Sequence, residues 1–309
     1  MTRIILPLIA FYLLTAASRS FAAASVPNTW TGVERIVAVG DVHGAYDEFV
    51  SALSAAGVID AKGDWIGGRT HLVQTGDIVD RGDHSRRCMD LMMKLETQAA
   101  AAGGMVHQLL GNHEVMVMQH TYLYTSASDF ASFGGRSGLK SALGPAGRYG
   151  RWLRSRNAVI KINDVLFVHG GIPGKYASRS LDELNDAIRS RIDAGWSLGG
   201  LLGRGGPLWY RGWTSKNASS VADRCKDAFA AYDVQHAVVG HTTDGIATFG
   251  SGRVILIDSA MTPDLKGEPS ALVIEKGVFT AVYPARAKEA LNVHYYRANV
   301  AAAPAAHRP

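Results

Sequence analysis

The sequence predicts an α/β fold, and two patterns carry that prediction. Three times in succession a short apolar run ends in a glycine-flanked polar loop and gives way to a segment with helical spacing. Further along, short apolar runs alternate with turn residues, the mark of strands that pair locally. With 309 residues, 47% apolar and 19% charged, the chain can bury a sizeable core as one large domain or two small ones.

The first unit opens with RIVAV, residues 35–39, as a buried strand. After the loop GDVHG comes AYDEFVSALSAAG, where Phe49, Leu53 and Ala56 share a helical face and Gly57 ends the run. The second unit is HLVQTGD, a loop, and the helix RRCMDLMMKLETQAAAAGG, whose Met89, Met92, Met93 and Leu95 read as core packing rather than a cofactor stripe. The third, MVHQLLGNHE, again ends in glycine, ligand-type side chains and a new helix. Crossover helices imply a mostly parallel sheet, and loops beyond the carboxyl ends of such strands converge on one crevice.

Residues 115–158 are less regular, with glycine clusters and helix-like pieces such as RYGRWLRSRN, and are expected to cap that crevice. AVIKI and VLFVH read as a hairpin around Asn163 and Asp164, and Ser180 with Glu183 forms a capping box opening LDELNDAIRSRI. HAVVGHTT, RVILIDS and SALVIEKGVFTAVY are expected strands of a second sheet rich in antiparallel pairing. There is no internal repeat.

The N-terminus has a basic start, an apolar stretch from Ile4 to about Ala17, and small residues Ala22 and Ala24 spaced for cleavage. Residues 1–24 are therefore expected to be a secretory signal peptide, which places the protein in the periplasm or outside the cell. An uncleaved anchor is the alternative, but the run is shorter than the ~20 residues a spanning helix needs, and Pro7 interrupts it. Residues 25–33 read as a linker, 34–286 as the folded domain, and 287–309 as a disordered tail. Cleavage would remove Arg3 and Arg19 and no acid, lowering the formal charge from +5 to +3. Without a Lys/Arg block, neither nucleic-acid binding nor, after cleavage, membrane association is expected. Cys88 and Cys225 both fall in helix-like segments, and either one disulfide or two buried thiols fits.

At the strand ends stand Asp41 and His43 in GDVHG, Asp77, Asp80 and Arg81 in GDIVDRG, Asn112, His113 and Glu114 in GNHE, His169 in VHGG and His241 in GHT. Each cluster alone could be a turn. Five of them, mixing oxygen and nitrogen donors, point to a two-metal hydrolase site. Buried carboxylates such as Asp77 are costly unless a cation neutralises them. Glycine beside each donor lets the backbone bend sharply towards a shared point.

GDVHG, GDIVDRG, GNHE, VHGG and GHT resemble the motif set of the phosphoprotein-phosphatase branch of the calcineurin-like metallophosphoesterases. HLVQTGDIVDRG, LLGNHEVM and GPLWYRG resemble the Shewanella-like protein phosphatases in particular, over roughly residues 34–285. The resemblance implies a two-sheet β-sandwich flanked by helices in four layers, with a helical cap-like insertion, and makes 34–286 the catalytic domain.

It further implies that Asp41 and His43 hold one metal, that Asn112, His169 and His241 hold a second, and that Asp77 bridges both. That mixed donor set suits Mn²⁺, Fe or Zn²⁺ and is poor for Ca²⁺. Two such ions activate a shared water, so the expected nucleophile is metal-bound hydroxide. By the same resemblance His113 protonates the departing oxygen, Asp80 holds its other ring nitrogen, and Arg81 grips phosphate oxygens. The bland reading of Arg81 is an ion pair with Asp80 or Asp83. Arg211 in GPLWYRG is the candidate second phosphate clamp, with Trp209 and Tyr210 as core or pocket wall.

Asp83 reads as turn chemistry and Glu114 as a helix-start carboxylate. His71, His84, His107, His120 and His236 lie off the motifs and read as ordinary histidines.

The expected activity is hydrolysis of phosphomonoesters on phosphorylated proteins or peptides, at phosphotyrosine or phosphoserine/threonine, or of small phosphate esters. The alternatives are a dinucleoside-polyphosphate or phosphodiester hydrolase and, in another class, a catalytically silent exported protein that binds phosphorylated ligands.

Overall fold

The computed structural model describes residues 26–195, 199–216, 218–291 and 293. The expected signal peptide therefore lies outside the described residues. Among these, no helix is long and apolar enough to cross a membrane.

Two mixed six-stranded sheets stack face to face. The first contains, in spatial order, β12 (Glu289–Ala290), β11 (Val278–Val282), β10 (Ala271–Glu275), β2 (Arg35–Val39), β3 (His71–Gln74) and β4 (Met105–Gln108). The second runs β1 (Thr29–Trp30), β5 (Val159–Ile162), β6 (Val165–Val168), β7 (His236–Val239), β9 (Val254–Leu256) and β8 (Ala247–Phe249). The three strands of the expected units, β2, β3 and β4, are parallel, with Val37 beside Leu72 and Leu72 beside Val106.

Period-two alternation decides what each strand face buries. Ile36 and Ala38 join Val73, Phe167, Val238, Ile255 and Leu272 in an apolar layer between the sheets. Val37 and Val39 point the other way, into a core with Phe49 and Leu53 of α1 (Tyr46–Ala55) and Met89 and Met92 of α2 (Ser85–Ala101). The methionines are core, as their spacing predicts. Leu184 and Ile188 of α7 (Leu181–Asp193) are buried with Val159 and Leu166 of the second sheet, and Ser180 and Glu183 form the predicted capping box.

Three expectations need correction. SALVIEKGVFTAVY does not enter the second sheet: β10 pairs antiparallel with β2, which puts Leu272 and Ile274 beside Ala38 and Ile36, facing the same apolar layer. Once that hairpin leaves, the second sheet is largely parallel, through β1–β5, β6–β7 and β7–β9, with the hairpin β5–β6 turning at Asn163 and Asp164 as expected. The linker and tail are also partly structured. Trp30 registers with Ile162, and β12 adds a short antiparallel edge to β11.

Residues 112–154 form four helices: α3 (Asn112–Met118), α4 (Ala127–Ser132), α5 (Arg136–Leu143) and α6 (Arg148–Arg154). Tyr149, Trp152 and Leu153 anchor this insertion by burial. Cys88 and Cys225 are buried free thiols.

Candidate metal centre

All six predicted ligands are buried at the carboxyl ends of β2, β3, β4, β6 and β7: Asp41, His43, Asp77, Asn112, His169 and His241. Ligand atoms of His43, Asp77 and His113 lie within 4.8 Å of one another, as do those of Asp77, His169 and His241. Asp77 thus belongs to both groups. Asp41 touches both: its Oδ2 is 3.9 Å from His43 Nε2, and its Oδ1 is 3.9 Å from His169 Nδ1.

The imidazoles are set up as ligands by their far nitrogens. His43 Nδ1 lies 2.9 Å from the Val79 carbonyl and His169 Nδ1 lies 3.1 Å from that of Thr75. A carbonyl can only accept, so each Nδ1 carries the proton and each neutral ring turns a bare Nε2 inwards. The His43 Nε2 then faces Asp77 Oδ2 at 3.7 Å, and the His169 Nε2 faces Asp77 Oδ2 at 3.2 Å and Asn112 Oδ1 at 3.0 Å. Lone pairs confronting lone pairs in a buried space call for a cation between them. The His241 Nε2 is buried with no hydrogen-bond partner at all. On both counts the residues fit a pair of metal ions, and the mixed nitrogen and oxygen donors fit a transition metal.

Electrostatics agree. Burial, with Asp258 and Asp77 nearby, pushes the Asp41 carboxyl well above the usual range. Burial acts on Asp77 in the same sense, but His169 and His113 outweigh it and hold Asp77 well below the usual range. Burial lowers His43 to about 3, and burial with His169 lowers His241 to about 2, so both rings are neutral, the form that binds metal.

The sharp turns are made by the functional residues themselves. His43, Asp77, Asp80, Arg81 and His241 have φ between 48° and 68°, the left-handed region that costs a non-glycine residue ~1–2 kcal/mol. The glycines serve close approach. A Cβ on Gly111 would overlap the Asp77 carboxylate, and one on Gly240 would overlap that of Asp41.

Beside this centre, His113 Nδ1 stands 2.8 Å from Asp80 Oδ2, and His113 Nε2 faces Asp77 Oδ2 at 3.9 Å. Burial opposes a charge on His113, yet Asp77 and the Asp80 hydrogen bond prevail and raise it above its ordinary value. Arg81 is exposed, with its guanidinium over the Tyr124 ring, 5.0 Å from the centroid; the Asp80 oxygens are taken by His113 and Thr125. Arg211 reaches the opposite rim and donates to the His241 carbonyl and to Thr242 Oγ1. The Trp209 ring stands edge-on to His241 at 5.7 Å. A groove of about 320 Å³ opens beside Arg81, lined by Tyr46, Asp47, Glu48, Asp83 and Asp264.

Several contributors carry no signal of this kind in the sequence. Glu114 does more than start a helix: it is fully buried and accepts from the backbone N–H of Asp77, Ile78, Val79 and Gly111, tying two ligand loops together. Asp258, buried at the end of β9, accepts from Thr243 Oγ1 and the Ala260 N–H. Thr125 donates to Asp80 Oδ1 at 2.6 Å, and the Tyr124 ring lies 5.0 Å from that of His113. An aspartate after an apolar strand, as in RVILIDS, was the available clue to Asp258. His71 and His107 pair with each other at 3.0 Å, and His236 Nδ1 lies 3.1 Å from the Gly252 carbonyl.

Residues 34–244 match the calcineurin-like phosphoesterase family. A cold-active protein-tyrosine phosphatase of a psychrophilic Shewanella species superposes with a TM-score of 0.79 at 33% identity, over 86% of this chain and 83% of that one. An uncharacterised protein of Schizosaccharomyces pombe is 32% identical over 80% of each chain. Shewanella-like protein phosphatase 2 of Arabidopsis thaliana is 28% identical over 79% of this chain and 75% of its own length.

Proposed function

Because the chain belongs to the calcineurin-like phosphoesterase family, we propose that it is a dinuclear-metal phosphomonoester hydrolase, a protein phosphatase acting on phosphotyrosine or phosphoserine/threonine. The observation that carries this reading is the Asp80–His113 pair, with its Nε2 turned to the shared ligand Asp77. That is where a phosphomonoester's leaving oxygen needs a proton.

Asp41 and His43 would hold one ion, Asn112, His169 and His241 the other, and Asp77 both; the donors suit Mn, Fe or Zn. When bound, such ions supply an activated water and neutralise the oxygens of the phosphoryl group. The chain supplies the rest. Asp80 fixes the His113 ring through Nδ1, so a proton held at Nε2 faces the departing alkoxide or phenoxide. Arg81 and Arg211 stand on opposite rims and would grip non-bridging oxygens with their planar forks. The groove beside Arg81 gives room for residues flanking a phosphorylated side chain.

Kinship to proteins named as tyrosine and Shewanella-like phosphatases supports a phosphoprotein substrate. The basic start and apolar run of residues 1–24 support action after export, in the periplasm or beyond.

The test is a substrate panel on the mature protein loaded with Mn²⁺. Phosphotyrosine and phosphoserine peptides should turn over faster than a dinucleoside tetraphosphate, and the reverse order would overturn the assignment. Failure to hydrolyse p-nitrophenyl phosphate would favour a silent binding protein. His113→Ala should keep its metals and lose most rate on phosphoserine, less on p-nitrophenyl phosphate.

A further inference from the structure

Asp80 and Arg81 are consecutive non-glycine residues in the left-handed region, at φ 68° and 67°. Little in their own loop holds them there. The Gly82 N–H donates to the Asp80 carbonyl at 2.9 Å, and the remaining bonds lead into the helical insertion.

Four links arrive from residues 124–129. The Arg81 N–H donates to the Tyr124 carbonyl at 2.8 Å. Thr125 Oγ1 donates to Asp80 Oδ1 at 2.6 Å. Ser126 Oγ donates to the Gly82 carbonyl at 3.1 Å. Asp129 accepts from the Ser85 N–H at 2.9 Å and from Ser85 Oγ, and that hydroxyl oxygen in turn accepts the Asp80 N–H at 3.1 Å. Thr125 matters most among them, because its bond goes to the carboxylate rather than the backbone. Asp80 has two oxygens, one for His113 Nδ1 and one for Thr125, and each bond restricts the rotation that would spoil the other.

We propose that Thr125 is a positioning residue for proton delivery, fixing Asp80 so that Asp80 fixes His113, and that residues 124–129 serve to hold the Asp80–Arg81 turn. The proposal rests on the acid role assigned to His113. It gives the insertion a task beyond covering the crevice: it supplies the support without which the strained turn relaxes.

Thr125→Val keeps the shape and removes the hydroxyl; Thr125→Ser restores it. A hydrogen bond to a charged group contributes enough to predict a loss on the order of tenfold in kcat for a phosphoserine peptide in the Thr125→Val holoenzyme. The loss on p-nitrophenyl phosphate, whose leaving group needs little protonation, should be about threefold or less. KM should stay within about twofold, metal content should be unchanged, and Thr125→Ser should return to within about twofold of wild type.

A Thr125→Val enzyme that matches wild type on phosphoserine overturns the proposal. So do equal losses on both substrates, loss of metal, or no rescue by serine. His113→Ala, run alongside, separates the two layers. If it shows no leaving-group dependence, the acid role itself falls and this proposal with it. A strongly leaving-group-dependent His113→Ala beside an unaffected Thr125→Val sinks only the role of Thr125.

Discussion

Glu114→Gln is the substitution whose cost follows most directly from the coordinates. Glu114 Oε2 accepts from Asp77 N at 2.8 Å and Gly111 N at 2.7 Å; Oε1 accepts from Ile78 N at 2.8 Å and Val79 N at 3.4 Å. Glutamine has one acceptor oxygen, so its amide NH₂ must face one of these donor pairs and can accept from neither. At least two charge-assisted bonds are lost, at ~1.5–3 kcal/mol each, or ~3–6 kcal/mol in a fully buried place. For a domain of this size that corresponds to a fall in melting temperature of roughly 10 °C or more. Thermal unfolding by circular dichroism on chelator-treated wild type and variant reads the fold's own contribution. A difference under about 2 °C would refute the idea that this carboxylate staples the two ligand loops.

Two further outcomes are expected. Gly240→Ala forces a Cβ into the Asp41 carboxylate and should lower metal content below wild type while leaving the secondary structure intact, which metal analysis with circular dichroism checks. Burial pushes the Asp129 carboxyl up to about 6, so the folded state holds a proton that the unfolded state releases near pH 4. Stability should therefore fall as pH rises from about 4 to 6, by about 3 kcal/mol at most from this group. Asp129→Asn should flatten that slope in urea titrations.

What the sequence made legible and what it hid have different physical origins. Asp41, Asp77, Asn112, His169 and His241 follow apolar runs that can only be strands, and parallel strands deliver their carboxyl ends to one place whatever the detailed packing. The core faces of α1 and α2 were legible for the same reason, since periodicity is a local property. The pairing of β10 with β2 is not local: Leu272 fits either sheet by pattern, and only the vacant edge of β2 decides. Thr125, Ser85 and Asp129 were invisible because a lone hydroxyl or carboxylate in an irregular stretch has no period, and its meaning comes from a partner 44 or 45 residues away. Glu114 was half visible. Its place at a helix start suggested a dipole partner, whereas the fold uses it on backbone donors from another loop.

The central claim is that six side chains from five strand ends assemble around two cations. Elemental analysis of the purified protein, wild type against Asp77→Asn, addresses it most directly. The account predicts two transition-metal ions per wild-type chain and fewer than one in the variant, because Asp77 belongs to both ligand groups. One ion or none in active wild type, or two retained in Asp77→Asn, would contradict it.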